Sequence, residues 1–187
     1  MVMRKNFGAK TYLYPMPVLI VATYGEDGKP DAMNAAWGGI ADANKIALCL
    51  SESHKTTKNI LARKAFTVSM ADAEHVVACD YVGVVSANQE PDKFEKAGFH
   101  AVKSEFVDAP VIEELPMTLE CVLEKVTEDG LLIGSIVNVS ADERILDEKG
   151  KIDPAKLRPI TFDSVNNAYL VLGEKVGNAF KDGLKLK

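Results

Sequence analysis

The first half of the chain alternates apolar runs with turn residues, a pattern that predicts strands joined by tight connections. Residues 18–22 form a β-branched apolar run typical of a strand. Gly25-Glu26-Asp27-Gly28 follows, and its glycines and aspartate suit the positive-φ positions of a hairpin turn. Residues 31–36 are therefore predicted to return beside the first strand. Two more strands are predicted over residues 45–50 and 65–70.

Helical spacing is confined to three short segments. Apolar positions recur every three or four residues after Ser53 and predict a short helix that starts near Thr56. A second helix is predicted over residues 72–81, with Asp72 as its cap. A third is predicted over residues 91–97, since proline suits a first helical turn and glycine at position 98 suits a helix end.

The second half of the chain is more clearly β. The apolar residues at positions 117, 119, 121 and 123 alternate with Thr118, Glu120, Val122 and Glu124, which predicts a strand with one solvated face. Asp129-Gly130 predicts a turn into a strand over residues 131–140, and a last strand is predicted over residues 168–172. Six or seven strands with a few short helices indicate a closed or nearly closed antiparallel barrel. A parallel sheet would require regular helices between the strands.

Length and charge narrow the class of protein. A chain of 187 residues has room for one sizeable core, so residues 1–187 are predicted to form a single domain. The net charge of −5 and the lack of a dense basic run argue against nucleic acid or an anionic membrane as a partner. No apolar run is long enough for a bilayer and no leader is evident, so a cytoplasmic location is expected. The isolated Cys49, Cys79 and Cys121 are expected to be buried free thiols.

Familiar catalytic motifs are absent from the sequence. It contains no G-x-G-x-x-G, no G-x-x-x-x-G-K-[ST] and no G-x-S-x-G. The three histidines, His54, His75 and His100, do not lie at metal-ligand spacing. The sequence neither points to a Ser-His-Asp triad nor excludes one, so the candidate chemistry lies in two other segments.

The first candidate segment, residues 51–59, follows a strand and opens a helix. A helix start offers free N–H groups and a partial positive charge, which suit a phosphate. Ser53 and Thr56 add hydroxyl groups, Lys55 adds an ammonium and His54 adds a ring N–H. The alternative is that the hydroxyls only cap the helix and the lysines are solvated, and this segment alone leaves both open.

The second candidate segment, residues 31–39, is rich in small side chains. Ala35 and Ala36, together with two following glycines, leave room for a flat ligand to approach the backbone. The only tryptophan, Trp37, lies among them. The alternative is that Trp37 anchors the core and that the glycines make a bend.

Taken together, the two segments resemble a known family. Asn34-Ala-Ala-Trp37, followed after a strand by Ser51-x-Ser53-His54-Lys55-Thr56-x-x-Asn59-Ile60, is similar to the FMN-binding split barrel of the flavin reductase-like proteins. Residues 14–18, and Asp92-Lys93-Phe94 followed by residues 97–99, also resemble that family. Residues 169–177 resemble its flavoredoxin branch.

The resemblance implies a mainly β fold, a Greek-key antiparallel split barrel with short helices, and a homodimer with FMN near the subunit interface. It also implies a cofactor site. Its ring-lining part is Asn34, Ala35, Ala36 and Trp37, and its phosphate and ribityl part is Ser51, Ser53, Lys55 and Thr56, with Asn59 one helical turn further on. His54, within the same motif, is a further candidate through its ring N–H.

Three functions follow from the resemblance. The first is a flavin reductase in which NADH or NADPH reduces non-covalently bound FMN. The second is flavoredoxin-type electron transfer, in which FMN stays bound and exchanges electrons with partner proteins. The third is an FMN-binding module without catalysis, or a barrel that has lost its cofactor. A flavin supplies the redox chemistry itself, which suits a chain without a catalytic triad or a metal motif.

Overall fold

The computed structural model describes residues 2–187, which form a mainly β fold around a seven-stranded antiparallel sheet. The strands are β1 Leu19–Tyr24, β2 Pro30–Ala35, β3 Gly38–Asp42, β4 Lys45–Cys49, β5 Ala65–Met70, β6 Ala101–Lys103, β7 Pro110–Ile112, β8 Met117–Val126, β9 Leu131–Ala141, β10 Ile160–Asp163 and β11 Ala168–Val171. The helices are α1 Lys55–Arg63, α2 Val76–Val84, α3 Lys93–Lys96 and α4 Pro154–Leu157, with 3-10 turns at Glu143–Ile145 and Asp182–Leu186.

The large sheet curls until its two edges approach each other. Its strand order is β2-β1-β5-β8-β9-β4-β3, so β2 and β3 are the two edge strands. Only residues 36–37 separate these strands along the chain. A link of this length spans at most about 11 Å, so the two edges must lie close together. The predicted mainly β, nearly closed antiparallel barrel is confirmed, and its split lies at Ala36 and Trp37.

Strand β1 is buried on both of its faces. Leu19 and Val21 belong to the core inside the curled sheet, which also holds Phe66. Ile20 and Ala22 belong to a second core, between the sheet and helices α2 and α3. Burial on both faces explains why the β1 sequence is a continuous apolar run instead of an alternating one.

Helix α2 differs from its prediction. It spans Val76–Val84 instead of residues 72–81, and its N-cap position is His75. Asp72 Oδ1 accepts hydrogen bonds from the backbone N–H groups of Glu74 and His75, at 3.0 and 2.8 Å. The carboxylate therefore stabilises a turn before the helix. Helix α3 is also shorter than predicted, and Gly98, with φ at +79°, follows its end.

Four short strands were not predicted from the sequence. Strand β3 begins with two glycines, and β6, β7 and β10 have only three or four residues each. Segments this short carry too few positions for alternation to be recognised. Strand β10 pairs with β11 and brings the C-terminal part of the chain beside the sheet through the bridge between Pro17 and Thr161.

The cysteine prediction holds at two of the three positions. Cys79 and Cys121 are buried free thiols, and burial raises the pKa of each to about 12. Cys49 is an exposed free thiol, which corrects the expectation for that residue. It is the last residue of β4, and its side chain lies on the opposite face from the buried Leu48. Among residues 2–187, no helix has the length and apolar character needed to cross a membrane.

Candidate functional site

A cavity of about 330 Å³, here called the wide cavity, lies where the sheet splits. Its floor is the end of β2 and the link to β3, and α2 and the β10–β11 hairpin form its walls. Its lining residues are Met33, Asn34, Ala35, Ala36, Trp37, Cys49, Leu50, His54, Asp80, Gly83, Val84, Phe162 and Tyr169.

A second cavity, here called the narrow cavity, continues from the first toward the start of α1 and has a volume of about 160 Å³. The two share Met33, Asn34, His54, Gly83 and Val84, so they form one continuous cleft. The remaining lining residues of the narrow cavity are Lys55, Thr56, Val82, Val85, Ser86, Ala87 and Lys93.

The wide cavity combines apolar walls with one polar cluster. The Tyr169 hydroxyl donates a 2.7 Å hydrogen bond to Asp80 Oδ1, and Asn34 Nδ2 donates to the Cys79 carbonyl at 3.1 Å. Burial and the hydrogen bond to Asp80 raise the pKa of Tyr169 to about 12, so Tyr169 stays a donor across the physiological range. Apolar walls with a few fixed polar groups are typical of a site for a flat, largely apolar ligand with a polar edge.

Gly83 allows α2 to pack closely against β2 at the boundary of the two cavities. A Cβ added at this position would lie only 2.8 Å from Asn34 Cβ. A larger residue would therefore push the helix away from the strand. The shape of the cleft depends on this close packing.

The narrow cavity has the properties of an anion site. It contains the start of α1, whose N-cap residue is His54. No side chain caps this helix, so the interpretation of Ser53 and Thr56 as capping residues is wrong. The first N–H groups of a helix have no intrahelical partner, and they attract negative charge. The Lys55 side chain lines the same cavity and adds a positive charge.

Beside the narrow cavity, Asp31, Thr56 and Lys93 form a buried polar group. The Thr56 hydroxyl donates a 2.6 Å hydrogen bond to Asp31 Oδ2, and Lys93 Nζ lies 3.5 Å from Asp31 Oδ1. Lys93 Nζ also donates to the carbonyls of Val82 and Val85, at 3.1 and 3.0 Å. Burial lowers the pKa of Lys93, and the nearby Asp31 carboxylate opposes that shift. The proton of the Thr56 hydroxyl is thus engaged within the protein.

The structure brings seven of the ten predicted site residues to this cleft. Asn34, Ala35, Ala36 and Trp37 line the wide cavity, Lys55 and Thr56 line the narrow one, and His54 lines both. Trp37 is half-exposed, and Gly38 and Gly39 begin β3. The alternative of a core tryptophan followed by a bend is therefore wrong.

The other three predicted residues line neither cavity. The hydroxyls of Ser51 and Ser53 lie 2.8 Å apart on an exposed turn. Asn59 is buried on the face of α1 that contacts the sheet, and its Nδ2 has no hydrogen-bond partner within the described part of the chain. A ligand role for these residues remains a prediction.

Further lining residues were not among the predicted site residues, notably Asp80, Phe162, Tyr169 and Lys93. Tyr169 and Asp80 are 89 positions apart and meet only through the packing of β11 against α2. Nothing local to either residue indicates this contact. Two signals were available: Lys93 lies within the Asp92-Lys93-Phe94 block and Tyr169 begins residues 169–177, and both segments carried part of the family resemblance.

The other histidines lie outside the cleft. His75 Nδ1 is 2.9 Å from Asp72 Oδ1, and the exposed His100 Nδ1 is 2.6 Å from Glu114 Oε1. Across residues 2–187, no three His, Cys, Asp or Glu side chains group in a way that would hold a metal ion.

Comparison with solved structures supports both the fold and the family. The chain is similar to the flavoredoxin of Desulfovibrio vulgaris (Miyazaki F), with 38% identity, a TM-score of 0.93, and coverage of 97% of this chain and 100% of that one. A flavoredoxin from Methanosarcina acetivorans is 26% identical, with a TM-score of 0.89 and full coverage of both chains. Nitrilotriacetate monooxygenase component B from Bacillus cereus is 25% identical, with a TM-score of 0.78 and coverage of 95% and 99%.

Sequence comparison agrees with these structures. An uncharacterized protein of Aquifex aeolicus is 30% identical over 156 residues, which cover 78% of this chain and 79% of the relative. The model of the flavin reductase like domain matches residues 11–160, a range that includes α1, α2 and the β2–β3 link. The chain therefore belongs to the flavin reductase-like family, and its fold is that family's split barrel.

Proposed function

We propose that this protein holds FMN without a covalent bond and transfers electrons between partner proteins, as a flavoredoxin-type carrier. The observation that carries the proposal is the continuous cleft, apolar and aromatic at one end and cationic at the other, in a chain 38% identical to a flavoredoxin over 97% of its length. A relative from Shewanella baltica in the same fold is described as an FMN-binding domain of flavin reductase-like enzymes.

The donor set of the cleft fits FMN. The flavin ring is flat and largely apolar with one polar edge, and the wide cavity offers apolar walls together with the polar Asn34, Asp80 and Tyr169. The phosphate of FMN is dianionic, and the narrow cavity offers Lys55 and the uncapped start of α1. The charge difference between the two ends gives the cofactor one preferred orientation.

Each group of residues has its own task in this proposal. Lys55 and the first N–H groups of α1 hold the phosphate, and Asn34, Ala35, Ala36 and Trp37 contact the ring. His54 lies between the two cavities, where the ribityl chain would pass. The bound flavin supplies the capacity to accept and release electrons. The protein positions it and, through the hydrophobic residues of the wide cavity, limits the access of water.

A flavin reductase that uses NADH or NADPH is the second candidate. Hydride transfer requires a nicotinamide ring to stack on the flavin. The half-exposed Trp37 leaves the mouth of the wide cavity open for such a ring. The 25% identity to a monooxygenase component B also favours an enzyme. The similarity to two flavoredoxins over at least 97% of this chain favours the carrier.

A homodimer is also part of the proposal, and two terminal segments of the chain support it. Val176 and Phe180 in the C-terminal segment are fully exposed, and Met3 near the other end is almost as exposed. Apolar side chains left in water in this way are typical of surfaces that pack against another copy. Light scattering measures the native mass and tests this proposal, and a value near twice 20.3 kDa is expected.

One anaerobic experiment separates the candidate functions. The purified protein, incubated with FMN and desalted, is expected to retain a yellow flavin band. NADH or NADPH alone should leave that band unchanged, and dithionite should bleach it. Rapid bleaching by a nicotinamide alone would identify a reductase instead. A colourless protein whose melting temperature does not respond to FMN would contradict FMN binding altogether.

A further inference from the structure

Asp80 is the only acidic side chain among the residues that line the wide cavity in the described part of the chain. No lysine or arginine lines this cavity, so its lining holds no permanent positive charge to neutralise Asp80. The cations of the cleft, Lys55 and Lys93, lie at the narrow end. Lys93 is also paired with Asp31, at 3.5 Å.

The Asp80 carboxylate is held in place by a neighbour that is itself part of the cavity. The Tyr169 hydroxyl donates to Asp80 Oδ1 at 2.7 Å, and the Tyr169 ring packs against Phe162 with a centroid distance of 6.0 Å. Both aromatic residues line the wide cavity. The contact is therefore a fixed feature of the site, in contrast to a mobile surface charge.

The geometry points to Asp80 as a residue that lowers the reduction potential of a flavin bound in the wide cavity. This inference rests on the proposed binding of FMN. Two electrons and one proton convert the oxidised flavin to its anionic reduced form, so the ring gains one negative charge. A fixed carboxylate in the same cavity repels that charge and disfavours the reduced form.

The expected change in potential follows from the repulsion between the Asp80 carboxylate and the charge of the reduced flavin. Two unit charges separated by about 10 Å in a partly desolvated site interact strongly enough to change an equilibrium constant roughly tenfold. Removal of the Asp80 charge should therefore strengthen the binding of reduced FMN relative to oxidised FMN by roughly that factor. A low potential suits a carrier that delivers electrons to partner proteins.

The test compares the midpoint potential of the FMN-loaded wild type with that of Asp80→Asn. Dithionite supplies the electrons, and a dye of known potential reports the equilibrium. The potential of Asp80→Asn should shift to a more positive value. Asp80→Glu keeps the charge and should stay near the wild type. Asp129→Asn removes an equally charged but exposed residue that lines neither cavity, and it should leave the potential unchanged.

Tyr169→Phe separates the charge of Asp80 from its hydrogen bond. This variant keeps the carboxylate, so it should not reproduce the shift of Asp80→Asn. If Asp80→Asn folds poorly because the amide is a weaker partner for the Tyr169 hydroxyl, the double variant Asp80→Asn with Tyr169→Phe removes that hydrogen bond altogether and should show the same positive shift.

Two results would overturn the inference: an unchanged potential in a variant that lacks the Asp80 charge, or an equal shift in Tyr169→Phe. Both are distinct from a failure of the proposed function, in which the wild-type protein would bind no FMN in the first place.

Discussion

The Thr56 hydroxyl donates a 2.6 Å hydrogen bond to Asp31 Oδ2 and thereby joins the first turn of α1 to the start of β2. Both residues are buried, and Lys93 Nζ lies 3.5 Å from the other oxygen of the same carboxylate. The hydroxyl of a residue that was predicted to hold phosphate thus fixes the helix start by donating its proton to Asp31. The role of Thr56 toward a phosphate stays a prediction.

The ion pair between Asp31 and Lys93 should show strong thermodynamic coupling. Removal of one partner leaves a buried charge without its counterion, so Asp31→Asn or Lys93→Met should each lower the free energy of unfolding by about 3–5 kcal/mol. The double variant should lose clearly less than the two single losses added together. Urea denaturation of the four proteins measures this coupling. Additive losses would show that the two charges do not interact.

Lys55 should distinguish FMN from riboflavin. Lys55→Ala should weaken FMN binding at least ~10-fold, because a charge-assisted bond to the phosphate is lost. Riboflavin lacks the phosphate, so its affinity should not change. Quenching of flavin fluorescence measures both affinities.

Lys58→Ala is the matched control for Lys55→Ala. Lys58 lies on the same helix, is exposed and lines neither cavity, so its loss should leave FMN binding unchanged. Equal weakening of FMN and riboflavin by Lys55→Ala would place the phosphate elsewhere.

A side chain at position 83 should lower the stability of the protein. The methyl group of Gly83→Ala would lie 2.8 Å from Asn34 Cβ, and the forced separation of α2 from β2 should cost about 1–3 kcal/mol of unfolding free energy. Gly39→Ala is the control, because a Cβ at that position meets nothing within 4 Å. Chemical denaturation compares the two. Equal stability of both variants would mean that the helix shifts without cost.

The exposed His100 should titrate at a higher pH than an ordinary histidine. A hydrogen bond from its ring to Glu114 raises the pKa of His100. Burial alone would raise the pKa of Glu114, but the backbone and ring donations from His100 lower it overall. Because the folded pKa of His100 is raised, its stabilising contribution is complete below the unfolded value and is lost as pH rises through the folded value.

NMR titration of the His100 ring protons checks this pH dependence. Glu114→Gln should return the midpoint toward the ordinary value, whereas Glu128→Gln, at an exposed position of the β8–β9 turn, should not move it. If the titration midpoint of His100 is the same in Glu114→Gln as in the wild type, the ion pair does not persist in solution.

Local patterns were enough to predict much of the fold. Strand β8 was recognised from its alternating sequence, but the prediction of a solvated face is wrong for the first half of the strand. Thr118 and Glu120 are buried there, and only Val122 and Glu124 of that face are exposed. The turns at Gly28 and Gly130 have φ near +80°, and glycine marks such positions in the sequence. Strand β3 was missed because Gly38 and Gly39 have no side chains to alternate.

The candidate site, like the fold, was predicted only in part from the sequence. The sequence alone determined that residues 34–37 and 54–56 have the small side chains, charge and helix start that suit a flat, phosphorylated cofactor, because these properties belong to contiguous residues. Only the tertiary structure decided that Asp80 and Tyr169 complete the wide cavity and that the Thr56 hydroxyl faces Asp31. Such contacts join residues far apart in the chain, and they exist only where packing of the sheet and helices brings those residues together.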